Sequence, residues 1–290
     1  MKTFSKKPGD GPTSSVPCPL CGSWDSAPAW PLRRRAKQAH EESGIFVSCR
    51  ACGFVYQRKQ PENRDLLDRY DGEYFEYERA NEERFFSLMR LGLSDIGFFD
   101  IEQDLIAGSF RFLDIGCATG RLLEFLRERG FDVEGVEICR ASAEYGRRAR
   151  GLSISTRPLE ETGYAAESFG VVHCSHLIEH LRDPVGFVRE VRRILVPGGY
   201  FICATPNIDG FQARLMGPSW RSAIHDHMGL FSGRTLAALL EREGFQARAL
   251  RTWGGIAEGL APGPVKRILD RAAKRFGFGD VMIVLASTPP

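Results

Sequence analysis

The chain has 290 residues, 43% hydrophobic and 26% charged, with a formal net charge of +2. That composition excludes a disordered chain and supplies apolar mass for one large core and one small appended module. The near-balanced charge gives no strong field for nucleic acid, despite local basic clusters at 33–35 and at Arg147 and Arg148, and no window is apolar enough to span a membrane.

In chain order, residues 1–16 are rich in Lys, Gly, Pro and Ser without an apolar run. They read as a flexible tail, not a secretory leader, so the expected location is cytoplasmic. Residues 17–60 carry four of the eight cysteines. Cys18-Pro-Leu-Cys21-Gly22 and Cys49-Arg-Ala-Cys52-Gly53 are two knuckles, each placing a pair of thiolates on a turn that glycine completes. Cys18, Cys21, Cys49 and Cys52 therefore form a candidate structural zinc ribbon, because so short a segment cannot bury a sufficient core. Disulfides are the alternative in an oxidising compartment. Strands are expected at 45–48 and 54–57. Cys117, Cys139, Cys174 and Cys203 stand singly and read as small buried hydrophobes.

Residues 61–108 read as a helical bridge. A helix at 65–70 leads into Tyr74-Phe75-Glu76-Tyr77, followed by a helix at 81–91 with Phe85, Leu88 and Met89 on one face. Phe85 and Phe86 are expected to pack on the sheet. Tyr74, which keeps a polar tip, is a candidate acceptor contact.

From 109 to 290, strand and helix signals alternate as an α/β, doubly wound, mostly parallel sheet requires. Phe112-Leu-Asp-Ile-Gly-Cys-Ala-Thr-Gly120 is a strand that ends in an acid and opens onto a glycine loop. Gly116 and Gly120 let the loop turn and let main-chain amides approach a ligand. Glu137 ends the next strand, where a carboxylate can accept both ribose hydroxyls. Asp114, two residues before the first glycine, would repel a diphosphate and suits a cationic nucleoside, S-adenosylmethionine.

Downstream come a strand at 169–174, His176-Leu-Ile-Glu-His180-Leu-Arg-Asp-Pro184, a helix to 195, Pro197-Gly-Gly199 and a strand at 200–204. His227-Met-Gly-Leu-Phe-Ser232, a helix with Leu236, Leu239 and Leu240, an amphipathic helix at 262–276 and an apolar strand at 281–287 complete the order. The succession resembles the class I methyltransferases, in the branch of ubiquinone-type O-methyltransferases and of methyltransferases of natural-product and surface-sugar pathways. Ala118 stands where that pattern has its middle glycine. The resemblance implies a Rossmann-like seven-stranded sheet whose last strand runs antiparallel inside it, and a bridge that caps the cofactor. It implies cofactor contacts from Asp114, Gly116, Cys117, Gly120, Glu137, Ile138, Leu159 and Ser175, with Cys117 acting through its main-chain amide. Relatives carry acids where this chain has Pro158 and Gly170.

Methyl transfer is an in-line displacement from a sulfonium that is already activated, so the protein supplies orientation, dryness and, for a hydroxyl acceptor, a base. His180 is the candidate base and Glu179 its orienting partner or substitute. His225 and His227 flank Asp226 and are candidate acceptor contacts; as a local triplet they lack a third and fourth metal ligand. Trp220 and Met216 are either an apolar wall or core. The expected activity is methylation, chiefly on oxygen, of a small-molecule or glycan acceptor. A sugar C-methyltransferase and an RNA methyltransferase whose ribbon binds RNA are the alternatives. Acceptor identity and oligomeric state are not legible.

Overall fold

The computed structural model describes residues 14–30, 46–60, 72–108, 110–254 and 263–290, without the side chains of 14, 72–73, 263–264, 266–267 and 269. The expected helix at 65–70 and the basic run 33–35 lie outside the described residues.

The first elements are strands β1 (Ser14–Ser15), β2 (Ser26–Pro28), β3 (Phe46–Cys49), β4 (Val55–Gln57) and β5 (Lys59–Gln60), then helices α1 (Gly72–Asp95) and α2 (Phe98–Ala107). Alternation follows: β6 (Arg111–Ile115), α3 (Arg121–Glu128), β7 (Asp132–Val136), α4 (Arg140–Arg150), β8 (Ile154–Ser155), β9 (Phe169–Ser175), α5 (Pro184–Ile194) and β10 (Leu195–Pro206). The chain closes with α6 (Phe211–Met216), β11 (Gly229–Leu230), α7 (Gly233–Arg242), β12 (Gln246–Trp253), α8 (Gly263–Phe276) and β13 (Val281–Ser287).

Seven strands form the main sheet in the order β12-β13-β10-β9-β6-β7-β8. Strands β10, β9, β6, β7 and β8 are parallel, and β13 lies antiparallel between β10 and β12, as the resemblance implies. Both faces are covered, so central strands read as continuous apolar runs; β9 is buried from Phe169 to Cys174. Alternation on β6 sends Leu113 and Ile115 to the core under α5 and α7, and Phe112 to the core under α1, α2 and α3. Asp183 caps α5, accepting from Gly186 N at 2.8 Å with Pro184 in the first turn, and Ser232 with Thr235 makes a reciprocal capping box on α7.

Two expectations change, for the bridge helix and for Ser14 and Ser15, and two open ones are settled, for Trp220 with Met216 and for Gly170. Helix α1 is continuous over 24 residues, and its inward face carries Phe86, Met89 and Leu93, whereas Leu88 is exposed. Ser14 and Ser15, assigned to the tail by composition, pair with β5. Trp220 is core, donating Nε1–H to Asp280 Oδ1 at 2.7 Å, while Met216 is exposed. Gly170 is a packing glycine: a Cβ there would meet Phe110 Cβ at 2.3 Å, so an acid cannot occupy the position without moving that ring.

A fifth finding was not foreseeable locally. β2, β3 and β4 belong to a four-stranded sheet whose last member is β11, from the loop region after β10. The ribbon and the catalytic region thus share main-chain hydrogen bonds.

Candidate functional site

The crevice lies beyond the carboxyl ends of the parallel strands, where such sheets place their ligands. Gly116 and Gly120 hold φ of +75° and +79°, and a Cβ on Gly120 would meet Leu152 Cδ1 at 2.4 Å. Ala118 also sits in the left-handed region, at φ +48°, which explains why glycine suits that position and why alanine is a strained substitute. Glu137 locks the loop. Its Oε2 accepts from Ala118 N at 2.9 Å and its Oε1 from Cys139 N at 2.7 Å, leaving a second lone pair on each oxygen. Burial pushes its carboxyl up to about 7, against those two amides, with Glu78 and Asp114 adding to the rise.

Asp114 is buried and paired. Its Oδ1 lies 2.6 Å from His173 Nδ1, and because the carboxylate only accepts, that nitrogen carries the proton. The other nitrogen, Nε2, lies 3.1 Å from Met89 Sδ on α1. The Cys117 amide, expected to face the ligand, instead donates to Val136 O at 3.2 Å, as does Gly116 N at 2.7 Å. These two amides hold the loop on β7, so Cys117 contributes loop shape; its buried thiol is pushed well up by burial and the adjacent acids. Ile138 is half-buried after Glu137, Leu159 is buried on a short helical turn, and Ser175 ends β9 opposite Ala204. Helix α1 closes over this end: Glu82 bonds Thr119 and, at 2.9 Å, Arg150, and Glu83 meets Arg121 at 2.8 Å. Tyr74 bonds Glu78, whose carboxyl burial raises to about 7 despite that bond and nearby His176.

The turn after β9 adjoins the loop, with Leu177 packed against Gly116. His176 is exposed and adopts φ +51°, a strained conformation at the mouth of the crevice. Glu179 is fully buried, its Oε1 3.2 Å from His176 Nδ1 and its Oε2 accepting from Thr205 Oγ1 at 2.8 Å. Burial disfavours its charge, but His176, His180 and His227 outweigh that and hold the carboxyl at about 2. His180 donates Nδ1–H to Asp226 O at 2.8 Å, and His227 donates Nδ1–H to Ser222 O at 2.8 Å. A carbonyl only accepts, so in each neutral ring the lone pair resides on Nε2. Burial, then His180, pushes His227 down to about 3. His225 is half-buried and is held through its main-chain carbonyl.

Gln57 fixes this loop. Its buried Nε2 lies 2.7 Å from His225 O, 2.8 Å from His227 O and 3.4 Å from Ile224 O, while its own N–H donates to Met228 O at 2.9 Å. Gln57 stands five positions after Cys52, at the end of β4. Cys18 and Cys52 sulfurs are 3.6 Å apart, Cys21 and Cys49 sulfurs 3.5 Å, and all four lie within 4.8 Å of one another. Those separations approach the edge of about 3.8 Å in a tetrahedron with 2.3 Å zinc–sulfur bonds. Burial opposes ionisation of Cys49, but the main-chain N–H groups of Cys52 and Ala51 and the Cys21 thiol lower it to about 7; burial pushes Cys52 up to about 11 and Cys18 higher still.

Sequence reasoning missed His173, Thr205 and Gln57. The first two were accessible through strand register, since β6 and β9 place Asp114 beside His173 and Thr205 follows Ala204 on β10. Gln57 carried no local signal. Arg147 and Arg148 are paired with Glu144, and Arg147 also donates to Ile154 O, so they form no free basic face.

The sheet order, the acid-terminated first strand, the strained loop and the second-strand acid define a class I S-adenosylmethionine-dependent methyltransferase. Comparison agrees: residues 56–250 match the family described as a methyltransferase domain, and the chain belongs to that family. It is 32% identical over 128 residues to the ubiquinone biosynthesis O-methyltransferase of Cereibacter sphaeroides, covering 42% of this chain and 52% of that one. With the Ruegeria pomeroyi enzyme of the same name the figures are 35% over 113 residues, covering 37% and 46%. The chain spans about half the length of the curated relatives it matches. Among solved structures, a SAM-dependent methyltransferase from Thermotoga maritima aligns with TM-score 0.52 and 23% identity over 74% of this chain and 98% of that one. One from Archaeoglobus fulgidus aligns with TM-score 0.52 and 18% identity, covering 74% and 99%. These likenesses show the fold. No helix among the described residues is long and apolar enough to cross a membrane.

Proposed function

We propose that the protein transfers the methyl group of S-adenosylmethionine to an oxygen of a small-molecule acceptor. The observation that carries this reading is the meeting of two constellations in one crevice: the Asp114–Glu137 loop site and the Glu179–His180–His227 cluster, joined where Leu177 packs on Gly116. Glu137 receives the ribose, Asp114 with His173 stands toward the cationic amino-acid end, and Leu159 covers the adenine. The acceptor oxygen attacks the methyl carbon in line, the carbon–sulfur bond breaks with its electron pair passing to sulfur, and S-adenosylhomocysteine leaves. The acceptor proton passes to His180 Nε2, the basic atom of a ring whose orientation the Asp226 carbonyl fixes. Tyr74, His225 and His227 line the acceptor side. Oxygen as the methylated atom draws support from the curated relatives, which are named as O-methyltransferases.

Cys18, Cys21, Cys49 and Cys52 fit a structural zinc ion, which would supply cross-linking and no chemistry. The ribbon, spanning 17–60, acts as the wall that holds the 224–230 loop, the bridge at 61–108 as the cap, and 109–290 as the catalytic domain. The test is transfer of labelled methyl from S-adenosylmethionine into a fractionated host extract, with Glu137→Ala as the blank. Label in small molecules supports the reading; label in RNA, glycan or protein replaces the acceptor class, and no label above the blank refutes it.

A further inference from the structure

The four ribbon sulfurs stand in two close pairs. Cys18 and Cys52 are 3.6 Å apart and Cys21 and Cys49 3.5 Å, whereas Cys117, Cys139, Cys174 and Cys203 are buried elsewhere in the fold. Cys21 is exposed, so an oxidant can reach the cluster without unfolding it. One arrangement of thiols thus serves both a zinc ion and a pair of disulfides.

A continuous route leads from the second knuckle to the His180 ring. Cys49 N donates to Phe54 O at 2.8 Å, which closes the knuckle onto Phe54. The Phe54 ring lies 4.8 Å from that of Phe231, and a Cβ on Gly229 would meet Phe54 Cζ at 2.4 Å, so the knuckle and β11 are packed without slack and move together. Val55 and Tyr56 pair with Leu230 and Gly229, and Gln57 holds the carbonyls of Ile224, His225 and His227. Between the last two stands Asp226, whose carbonyl takes the Nδ1–H of His180. The cofactor half is held by other contacts, Glu137 on Ala118 and Cys139, and Asp114 on His173.

We infer that the four-cysteine centre is a redox switch on the acceptor end of the crevice: reduced and holding zinc it fixes the loop at 224–230, and oxidised to two disulfides it releases both the ion and the loop. The oxidant is hydrogen peroxide. The Cys21 thiolate attacks one peroxide oxygen, the oxygen–oxygen bond breaks and hydroxide leaves; the Cys49 thiolate then attacks the sulfenic sulfur, forming the sulfur–sulfur bond and expelling a second hydroxide. A second peroxide joins Cys18 to Cys52 in the same way. Four thiolates thereby give four electrons to two peroxides, and the ion is left without ligands. Forming each bond draws together sulfurs now 3.5 and 3.6 Å apart and displaces the knuckle from which β4 starts three residues later. Gln57 then loses the loop, and His180 its orientation, while the cofactor half stays formed. The loss of turnover that follows, though not the coupling itself, rests on the methyl-transfer reading.

The test is peroxide titration of the purified full-length protein with its ribbon metal in place, following zinc with a chromophoric chelator, disulfides by peptide mass mapping and main-chain protection by hydrogen–deuterium exchange. Bonds Cys18–Cys52 and Cys21–Cys49 are expected to form as zinc leaves, with exchange over 222–231 rising by more than about tenfold and exchange over 112–139 unchanged. Dithiothreitol with zinc should reverse all three changes. In Gln57→Leu the zinc and disulfide changes should persist while the exchange increment disappears, because the loop is already released. That variant keeps every cysteine, so the test does not depend on a ribbon that fails to fold. Zinc retained under peroxide, disulfides of another pairing, an exchange increase absent from 222–231 or spread over the whole chain, or an undiminished increment in Gln57→Leu overturns the switch. Binding of S-adenosylhomocysteine in the same samples separates the two readings: a responsive loop in protein that binds no nucleoside sustains the switch and removes the methyl-transfer reading, and nucleoside binding with an unresponsive loop does the reverse.

Discussion

The rings of His180 and His227 meet edge to face, with centroids 4.7 Å apart and planes at 90°. One ring belongs to the turn after β9 and the other to the loop before β11. Each is pinned by a main-chain carbonyl, so neither can turn away without losing a hydrogen bond. This pairing makes the reactive end sensitive to acid.

Because burial holds His227 at about 3, the unfolded chain binds a proton below about 6.5 that the folded protein refuses. Stability should therefore fall as pH drops from about 6.5 to about 3, by at most about 1.4 kcal/mol per pH unit from this residue. Urea unfolding across that range should show the slope, and His227→Gln should reduce it; an equal slope in the variant removes His227 as the cause.

Glu137 predicts the pH dependence of cofactor binding. Its raised carboxyl, at about 7 against 4.5 for an ordinary glutamate, stabilises the ligand-free fold below about 4.5, and that contribution is lost as pH rises through 7. Ribose hydroxyls donate to the ionised form, so binding of S-adenosylhomocysteine should release a proton and tighten as pH passes from about 6 to about 8, by less than about tenfold per unit. Calorimetry in two buffers of different ionisation enthalpy measures the proton. Glu137→Gln should abolish the pH slope and cost about 2 kcal/mol of affinity.

Asp114 and His173 form a buried pair whose single removal leaves the other exposed to desolvation. His173→Phe should destabilise the fold by about 3 kcal/mol, and Asp114→Asn should weaken cofactor binding with a smaller loss of stability. Denaturant midpoints and nucleoside affinities on both variants distinguish these outcomes. Equal effects on both readouts would contradict the division of roles.

Cys49→Ser should release the ribbon metal, read by elemental analysis, and loosen the loop that Gln57 holds. Gln57→Leu should retain the metal and the cofactor affinity while lowering kcat by about tenfold or more, since it removes only the amide that meets three carbonyls. Unchanged kcat in Gln57→Leu would show that loop position does not limit the reaction.

The geometry of the loop after β6 was legible because its signals are local: an acid, a glycine loop and a second acid follow one another within one strand–helix–strand unit. The departure at Ala118 was also visible, although its left-handed conformation was not. His173 escaped because its role is set by parallel register, which pairs it with Asp114 across strands distant in sequence. Gly170, where relatives carry an acid, could bear on strand packing or on an arginine contact, and the space it leaves for Phe110 decides for packing. The reactive cluster was half legible. Glu179 and His180 are adjacent in the chain, whereas the arrival of His227 depends on a strand pairing that no local pattern encodes.

Strand β4 also sets an order of events during synthesis. Gln57 and His227 are separated by 170 positions, so the partner strand leaves the ribosome about ten to thirty seconds after β4 at ordinary elongation rates. Throughout that interval β4 presents an unpaired edge, the kind of template that recruits wrong strands. Early metal capture by the knuckles would hold that edge in one register until Gly229 and Leu230 arrive. Metal-starved cells should then accumulate aggregated nascent chains rather than soluble protein with an empty ribbon.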